Sequence, residues 1–237
     1  DLYGEPRLTQ LITEIDSLVG IDWVRLLYFY PMYITDELIE TIASARKVIP
    51  YIDMPLQHIN DYMLKRMSRR VNRTQIEDII KRLRDGIPNL ALRTTFITGF
   101  PGETDEQFEE LLSFVEEAKF ERVGVFTYSY EEHTPSANFV DHVPHEIKLD
   151  RQQRLMQAQQ TIVFERNNSL IGKVLPAIID RPHPQEPNVW VGRTQADAPD
   201  IDCLLFVTSP EQVLRNGQIL NVQIAASSGY DLSGIPI

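Results

Sequence analysis

The sequence contains very little cysteine. Cys203 is the only cysteine among its 237 residues, so the chain cannot form an internal disulfide and gives no support to an extracellular location. Cys203 lies in an apolar run of residues, where a buried structural thiol is the expected role. The cytoplasm is therefore the expected compartment.

Long apolar segments and a leader peptide are also missing. No apolar run approaches the roughly 20 residues that span a bilayer, so no membrane partner is expected. The first residues, Asp-Leu-Tyr-Gly-Glu-Pro, have neither the basic start nor the apolar stretch of a signal peptide. Because they also lack a methionine, we expect a processed product or a fragment.

Positive charge is scarce as well. The chain has 23 Lys and Arg against 34 Asp and Glu, which gives a formal charge of −11 and a pI near 4.9. Nucleic-acid binders gain much of their affinity by neutralising phosphates, so this composition argues against RNA binding. An acidic surface instead favours basic partners, or simply keeps the protein in solution. The histidines show no tight metal-ligand spacing and no catalytic triad.

Four strand-like segments alternate with helix-period segments in the first 130 residues. This alternation predicts an α/β fold with βα units, a parallel sheet and a ligand site at the carboxyl ends of its strands. Four strands are too few to close an eight-stranded barrel, which takes about 250 residues. The predicted strands are 22–30, 48–54, 90–98 and 122–129, and the predicted helix caps are Thr35, Asn60, Thr74 with Glu77, and Thr104 with Gln107.

The character of the sequence changes near residues 166–172. A long amphipathic helix is predicted over 145–169, and short strand-like runs separated by turn signals follow it. This pattern predicts a small all-β module of about 65 residues, expected to be a barrel. The chain is accordingly divided into residues 1–166 and 167–237. The predicted strands of the module are 173–180, 188–193, 203–208 and 218–226.

A glycine-rich turn, Gly99-Phe-Pro-Gly-Glu-Thr104, joins the third predicted strand to the next helix. Such turns can cradle phosphate on free N–H groups. Here Glu103, Asp105 and Glu106 are expected to fill the first helical turn and repel an anion. A neutral or zwitterionic ligand suits this strand end better. Residue types alone favour a simpler interpretation, a turn that needs glycine for its backbone angles.

Three further polar residues are candidates. Gln57 and His58 lie just past a strand end and are expected to point towards the site, although a lone histidine is more often structural. Arg93 opens the third strand. It would form a surface ion pair or hold a ligand carboxylate with its fork of donors.

Several motifs, in order, resemble one enzyme family. Residues 50–58 (Pro-Tyr-Ile-Asp-Met-Pro-Leu-Gln-His) and 93–104 (Arg-Thr-Thr-Phe-Ile-Thr-Gly-Phe-Pro-Gly-Glu-Thr) are similar to segments of RimO-type methylthiotransferases, in the radical S-adenosylmethionine (SAM) superfamily. Residues 191–202 and 230–232 resemble that family's C-terminal TRAM domain. The resemblance spans nearly the whole chain. Its remaining parts are residues 25–31, 64–67, 123–129 and 134–137.

This resemblance implies a partial (β/α) barrel of the radical SAM type, strands three to six, followed by a TRAM barrel. It also implies that the intact enzyme uses SAM and two [4Fe–4S] clusters to add a methylthio group to the β-carbon of an aspartate of ribosomal protein S-twelve. The family's cysteine motifs are missing here, and clusters need thiolate ligands. We therefore expect a C-terminal fragment without a cluster or other metal, and without turnover of its own.

The resemblance also assigns site residues. Gln57, Arg93, Gly99 and Phe126 are expected to form one wall of the SAM site, with Phe126 against the adenine and core packing as its alternative role. No catalytic residue is assigned.

The TRAM part carries four Lys or Arg against seven Asp or Glu. This favours docking to the basic protein S-twelve, or to the small ribosomal subunit, through Asp197, Asp200 and Asp202, which could equally form a solvated acidic loop. Two other functions stay open. One is that of the MiaB-type tRNA methylthiotransferases, and the other is a non-enzymatic binding module, which the missing cysteines favour.

Overall fold

The structure is a computed structural model that describes residues 4–237. These residues form two compact units, one ending at Gln159 and the other running from Gln160 to Ile237. This division and the predicted domain border at residue 166 both fall within one long helix, α6 (His145–Ser169), and the border itself stays a prediction. No helix within residues 4–237 has the length and apolar character needed to cross a bilayer.

The first unit is built around a four-stranded parallel sheet with the strand order β1-β2-β3-β4. Neighbouring parallel strands require long crossover connections, and helices provide them here. The predicted parallel sheet is confirmed. The strands are β1 (Val24–Leu26), β2 (Val48–Asp53), β3 (Ala91–Thr98) and β4 (Arg122–Thr127), and the other helices are α1 (Leu8–Ser17), α2 (Asp36–Ser44), α3 (Asp61–Arg66), α4 (Arg73–Gly86) and α5 (Asp105–Ala118).

Three of the four predicted helix starts are confirmed. The Thr35 side chain accepts from the third residue of its helix, and Asn60 accepts from two backbone N–H groups of α3. Thr104 and Gln107 form the predicted capping box of α5, in which each side chain accepts from the other's backbone N–H.

The predicted capping box of Thr74 with Glu77 is wrong. The cap of α4 is Asn72, which accepts from the backbone N–H of Gln75, while the Gln75 side chain accepts in return. Asn72 competes successfully because asparagine is as good an N-cap as threonine. As a result the helix begins at Arg73, and Thr74 already lies in its first turn.

One face of the sheet packs against helices. Phe96 of β3 is fully buried, and its ring meets Phe114 of α5 and Phe120 edge-on, with centroids 6.4 and 6.0 Å apart. Leu92 and Thr94, which lie at alternate positions on β3, are also buried. This aromatic cluster fixes β3 at the centre of the unit.

The second unit contains a closed five-stranded barrel with the order β5-β6-β7-β9-β8. The predicted small all-β barrel is therefore confirmed. The strand pattern does not predict β9, which lies parallel to β7 and antiparallel to β8 and so closes the barrel. Only the resemblance of residues 230–232 indicates it. The strands are β5 (Val174–Pro182), β6 (Val189–Thr194), β7 (Leu205–Thr208), β8 (Ile219–Ser228) and β9 (Asp231–Pro236).

The core of the barrel is formed by alternate aliphatic residues of its strands, together with Leu214 from the segment between β7 and β8. Cys203, for which a buried position is expected, is partly exposed because it lies in the segment before β7 and not in a strand. The core residues are Ala177, Ile179, Leu205, Val207, Leu214, Val222, Ile224 and Leu232.

Candidate cofactor-binding site

The second face of the parallel sheet, here called the inner face, carries polar and exposed side chains. Residues paired across parallel strands point to the same side of a sheet. Asp53 pairs with Arg93, and Thr95 pairs with Gly124. Phe126 follows two positions after Gly124, so it lies on the same face. The inner face is therefore assembled from three neighbouring strands.

A buried ion pair anchors the inner face. Arg93 Nη1 lies 2.9 Å from Asp53 Oδ1, with side chains that are 16% and 1% exposed. The second carboxylate oxygen of Asp53 accepts from the backbone N–H of Tyr28 at 3.2 Å. The ion pair therefore orients the planar guanidinium of Arg93 on the inner face.

The same aspartate explains why β1 is shorter than predicted. The segment 22–30 is expected to be one strand, but β1 ends at Leu26 and Tyr28 adopts a left-handed conformation with φ 61°. The Tyr28 and Phe29 N–H groups then donate to the carboxylate and the carbonyl of Asp53. The strand β1 ends here because these two hydrogen bonds take the place of the regular backbone hydrogen bonds between β1 and β2.

Phe126 is 61% exposed and does not belong to the core. The α-carbon of Gly124 forms a shallow floor beside it. A Cβ placed at Gly124 would lie 3.6 Å from both the Phe126 ring and Thr95 Oγ1, and 3.8 Å from Arg93 Nη2. An aromatic face, a hydroxyl and a guanidinium thus surround a patch of bare backbone. Such a surface suits a flat ring that carries polar substituents.

Gln57 lies at the carboxyl edge of the sheet with φ 72°. Its N–H donates to Thr95 O at 2.8 Å, and its carbonyl accepts from Ile97 N at 2.9 Å, so β2 resumes pairing with β3 after an irregular stretch. The hydroxyl of Thr94 secures that stretch, donating to Met54 O at 2.9 Å. Because the backbone of Gln57 is already bonded, only its side chain is available to a ligand.

Gly99 directly follows β3 and has φ 68°. A Cβ at this position would lie 2.2 Å from Cγ of Lys148, so α6 covers this α-carbon. The ammonium of Lys148 donates to Tyr128 O at 3.1 Å. Burial lowers the pKa of Lys148 below its usual value. Gly99 therefore permits close packing of a helix on the turn as well as its unusual backbone angle.

The position of Glu103 differs from the expectation that it lies in the first turn of α5. The helix begins at Asp105, and the buried Glu103 side chain turns back to accept from Gly99 N at 2.7 Å. Arg151 Nη1 lies 2.5 Å from the same carboxylate, and its Nη2 lies 2.6 Å from Asp105. The turn thus binds its own carboxylate where a phosphate would otherwise bind, which agrees with the sequence argument against phosphate.

His58 does not point towards the inner face, contrary to expectation. It is fully buried, and its Nε2 lies 3.2 Å from Glu103 Oε1. Nδ1 accepts from the N–H groups of Ile59 and Asn60, at 2.9 and 3.0 Å. With Nδ1 occupied as an acceptor, the proton lies on Nε2 and is donated to Glu103. His58 is therefore a structural residue that joins two loops of the carboxyl edge.

The three aspartates expected to dock a substrate differ in exposure. Asp197 is 3% exposed and accepts from the hydroxyl of Thr194 at 2.6 Å. Asp202 is partly buried and accepts from Ala198 N at 2.8 Å. Of the three, only Asp200, with φ 61°, is exposed. Asp197 and Asp202 therefore shape the loop, and Asp200 is the exposed member of the three.

Sequence reasoning assigned no role to Asp53, Tyr28 or Thr95. A signal for Asp53 was present, because a carboxylate inside the apolar strand Val48–Asp53 needs a partner when it is buried. Tyr28 and Thr95 gave no comparable signal. Their places on the inner face follow from strand register and backbone angles alone.

The fold defines a class of protein. Residues 2–115 match the Radical SAM superfamily, and residues 171–237 match the TRAM domain. Among solved structures, coproporphyrinogen III oxidase (HemN) from Escherichia coli, described as a radical SAM enzyme, matches with a TM-score of 0.53 at 15% identity. That match covers 79% of this chain and 49% of the other, and at this identity it shows the fold alone.

Closer relatives narrow the class. The chain is 46% identical over 99% of its length to the ribosomal protein uS12 methylthiotransferase RimO of Syntrophotalea carbinolica, covering 51% of that protein. The RimO of Lachnoclostridium phytofermentans is 43% identical over 99% of this chain, with 53% of its own length covered. The chain is thus similar over nearly its whole length to RimO-type methylthiotransferases, and it spans about half the length of the curated relatives it matches.

Proposed function

We propose that this chain forms part of a radical SAM methylthiotransferase that modifies the β-carbon of an aspartate in ribosomal protein uS12. The observation that carries the proposal is the polar inner face of a parallel sheet, in a chain whose relatives are named as uS12 methylthiotransferases. Parallel sheets are ordinarily covered on both faces. A face lined by Asp53, Arg93 and an exposed Phe126 is instead built to hold a ligand.

The residues of the inner face fit SAM. When bound beside a reducing cluster, SAM supplies the hydrogen-abstracting chemistry of the superfamily. Phe126 offers an open ring face for the adenine, and Arg93, oriented by Asp53, can donate to polar oxygens. Gln57 can contribute its amide, whereas Gly99 contributes the shape of the edge, since Lys148 covers its α-carbon.

An iron–sulfur cluster does not fit these residues. Cys203 is the only cysteine, and one thiolate cannot hold a [4Fe–4S] cluster. Within residues 4–237, no group of three His, Cys, Asp or Glu side chains is placed to hold a metal ion. The ligands of the two clusters we propose for the intact enzyme must therefore come from residues other than these 237.

The partner we propose is uS12, because the second unit is acidic and Asp200 is exposed. RNA binding by this unit should be weak, because residues 170–237 contain four basic residues and seven acidic ones. We propose the cytoplasm as its location, since ribosomal proteins are modified there.

The decisive experiment assays protein expressed from the complete gene, loaded anaerobically with iron and sulfide. Mass spectrometry should detect a methylthio group on an aspartate of uS12 and none on tRNA. Modification of tRNA alone would overturn the proposed substrate.

The SAM site has its own test. Phe126→Ala should weaken SAM binding by about tenfold, through loss of one stacking contact. The matched control is Tyr33→Ala, which removes another aromatic residue, 60% exposed, from the 3₁₀ turn Pro31–Tyr33. Unchanged SAM affinity in Phe126→Ala would remove Phe126 from the site.

A further inference from the structure

A small cleft on the β-barrel unit has no role in the function proposed above. It lies where the β5–β6 turn meets the segment after β7, and it encloses about 220 Å³. Small-molecule sites usually begin at about 300 Å³, so a cleft of this size suits one side chain better than a cofactor. Its lining includes Pro182, His183, Glu186, Trp190, Ser209 and Glu211.

The charge of the cleft has one sign. Glu186 and Glu211 are its only carboxylates, both are exposed, and the lining contains no Lys or Arg. Neither carboxylate is paired with a basic side chain in the part of the chain that the structure describes. Elsewhere in this unit a carboxylate does find such a partner, since Asp180 lies 3.3 Å from Arg193. The cleft therefore offers two carboxylates to an incoming cation.

The walls are aromatic and rigid. Trp190 of β6 pairs across the strands with Pro182 and Val207, which fixes its backbone. His183 Nδ1 accepts from Glu186 N at 2.9 Å, so the imidazole holds the turn that carries one of the two carboxylates. Among aromatic rings, an indole attracts a cation most strongly. A neighbouring carboxylate partly neutralises the charge of that cation and so favours its binding there.

We propose that this cleft receives a lysine or arginine side chain of the protein substrate, held between the two glutamates and the Trp190 indole. The inference rests on the proposed function, because it takes uS12 as the partner. It goes further by assigning docking to a defined cleft of the β-barrel. A nucleobase could also stack on Trp190, but its phosphates would be repelled by Glu186 and Glu211.

The test uses the full chain with Trp23→Phe, so that Trp190 is the only remaining indole of the two tryptophans. Purified uS12 is titrated while the fluorescence of Trp190 is recorded, and a lysine-rich peptide serves as a second probe. We expect saturable binding of both, weakened by salt. The double variant Glu186→Gln/Glu211→Gln should bind uS12 about fivefold more weakly.

A matched variant separates the site from net charge. Glu116→Gln/Glu117→Gln removes the same two charges from exposed positions on α5 and should leave uS12 affinity and the Trp190 signal unchanged. Equal weakening by both variants would mean only general attraction to an acidic protein and would overturn the inference.

The remaining outcomes distinguish the cleft from the function. Tight uS12 binding that is unaffected by Glu186→Gln/Glu211→Gln would overturn the cleft and leave the proposed function standing. Absence of uS12 binding to any variant would overturn both. Quenching of Trp190 by tRNA at lower concentration than by uS12 would replace the cationic side chain with a nucleic acid and overturn the inference.

Discussion

The two faces of the parallel sheet are made by the same strands and yet differ in chemistry. On the helix-packed face Phe96 is fully buried among other aromatic rings, whereas on the inner face Phe126 is 61% exposed. Strands of all-parallel sheets usually read as continuous apolar runs because both faces are covered. β3 alternates instead, with Leu92, Thr94 and Phe96 buried and Arg93 and Thr95 partly exposed.

This difference separates stability from function within single strands. The helix-packed face removes apolar area from water and so stabilises the fold. The inner face holds an ion pair, a hydroxyl and an open aromatic ring around the bare Gly124 backbone. Substitutions on the helix-packed face should therefore lower the unfolding free energy, whereas substitutions on the inner face should weaken ligand affinity.

The largest contrast should come from the two phenylalanines. Phe96→Ala should lower the free energy of unfolding by about 4 kcal/mol, through lost burial and the cavity left between Phe114 and Phe120. Phe126→Ala should change it by no more than about 0.5 kcal/mol, because the ring is already exposed. Urea unfolding followed by circular dichroism measures both. Similar losses from the two substitutions would show that Phe126 is packed, and would return it to a core role.

The ion pair is the exception on the inner face, because it is buried there. Arg93→Met should cost about 2 kcal/mol of unfolding free energy, since it leaves the Asp53 carboxylate without its cation. The control is Arg46→Met, which removes an 82% exposed side chain 3.7 Å from Asp16 and should cost about 0.5 kcal/mol or less.

A double variant tests whether the unpaired Asp53 charge causes the loss of unfolding free energy in Arg93→Met. Asp53→Asn/Arg93→Met removes the unpaired charge as well, so it should be more stable than Arg93→Met alone. If the double variant is no more stable than Arg93→Met, the loss of unfolding free energy does not come from the buried charge of Asp53. It then comes from lost packing of the Arg93 side-chain stem.

Sequence patterns predicted the elements of this fold well and their details less well. The helix 145–169 and the capping box of Thr104 with Gln107 are confirmed residue by residue, because periodicity and capping are local properties. The box of Thr74 with Glu77 failed because a competing cap, Asn72, lies two residues earlier. The strand pattern did not predict β9, because Gly234 and Pro236 are unfavourable in strands and weaken that pattern.

The candidate site was predicted in outline only. Strand ends could be located from sequence, but the direction of a side chain at a strand end depends on long-range partners. His58 turns inward because Glu103 and two backbone N–H groups capture it. Glu103 itself lies before the start of α5, and its carboxylate accepts from the backbone N–H of Gly99. Asp197 is buried by a bond to Thr194 that local composition does not reveal.

The smallest contrast is also the most specific, because it compares two adjacent threonines of β3. The Thr94 hydroxyl is buried, donates to Met54 O at 2.9 Å and accepts from Leu56 N at 3.3 Å. Thr94→Val keeps the shape of the side chain but leaves both groups unpaired, so it should cost about 1.5 kcal/mol of unfolding free energy.

Thr95→Val is the matched control, one residue along the same strand and on the inner face. Its hydroxyl is directed at the open floor near Gly124, so the substitution should change the unfolding free energy by no more than about 0.5 kcal/mol. Urea unfolding of the two variants under identical conditions decides the comparison. Equal losses would mean that the Thr95 hydroxyl is bonded within the fold, and the inner face would then be a second structural surface and not a ligand site.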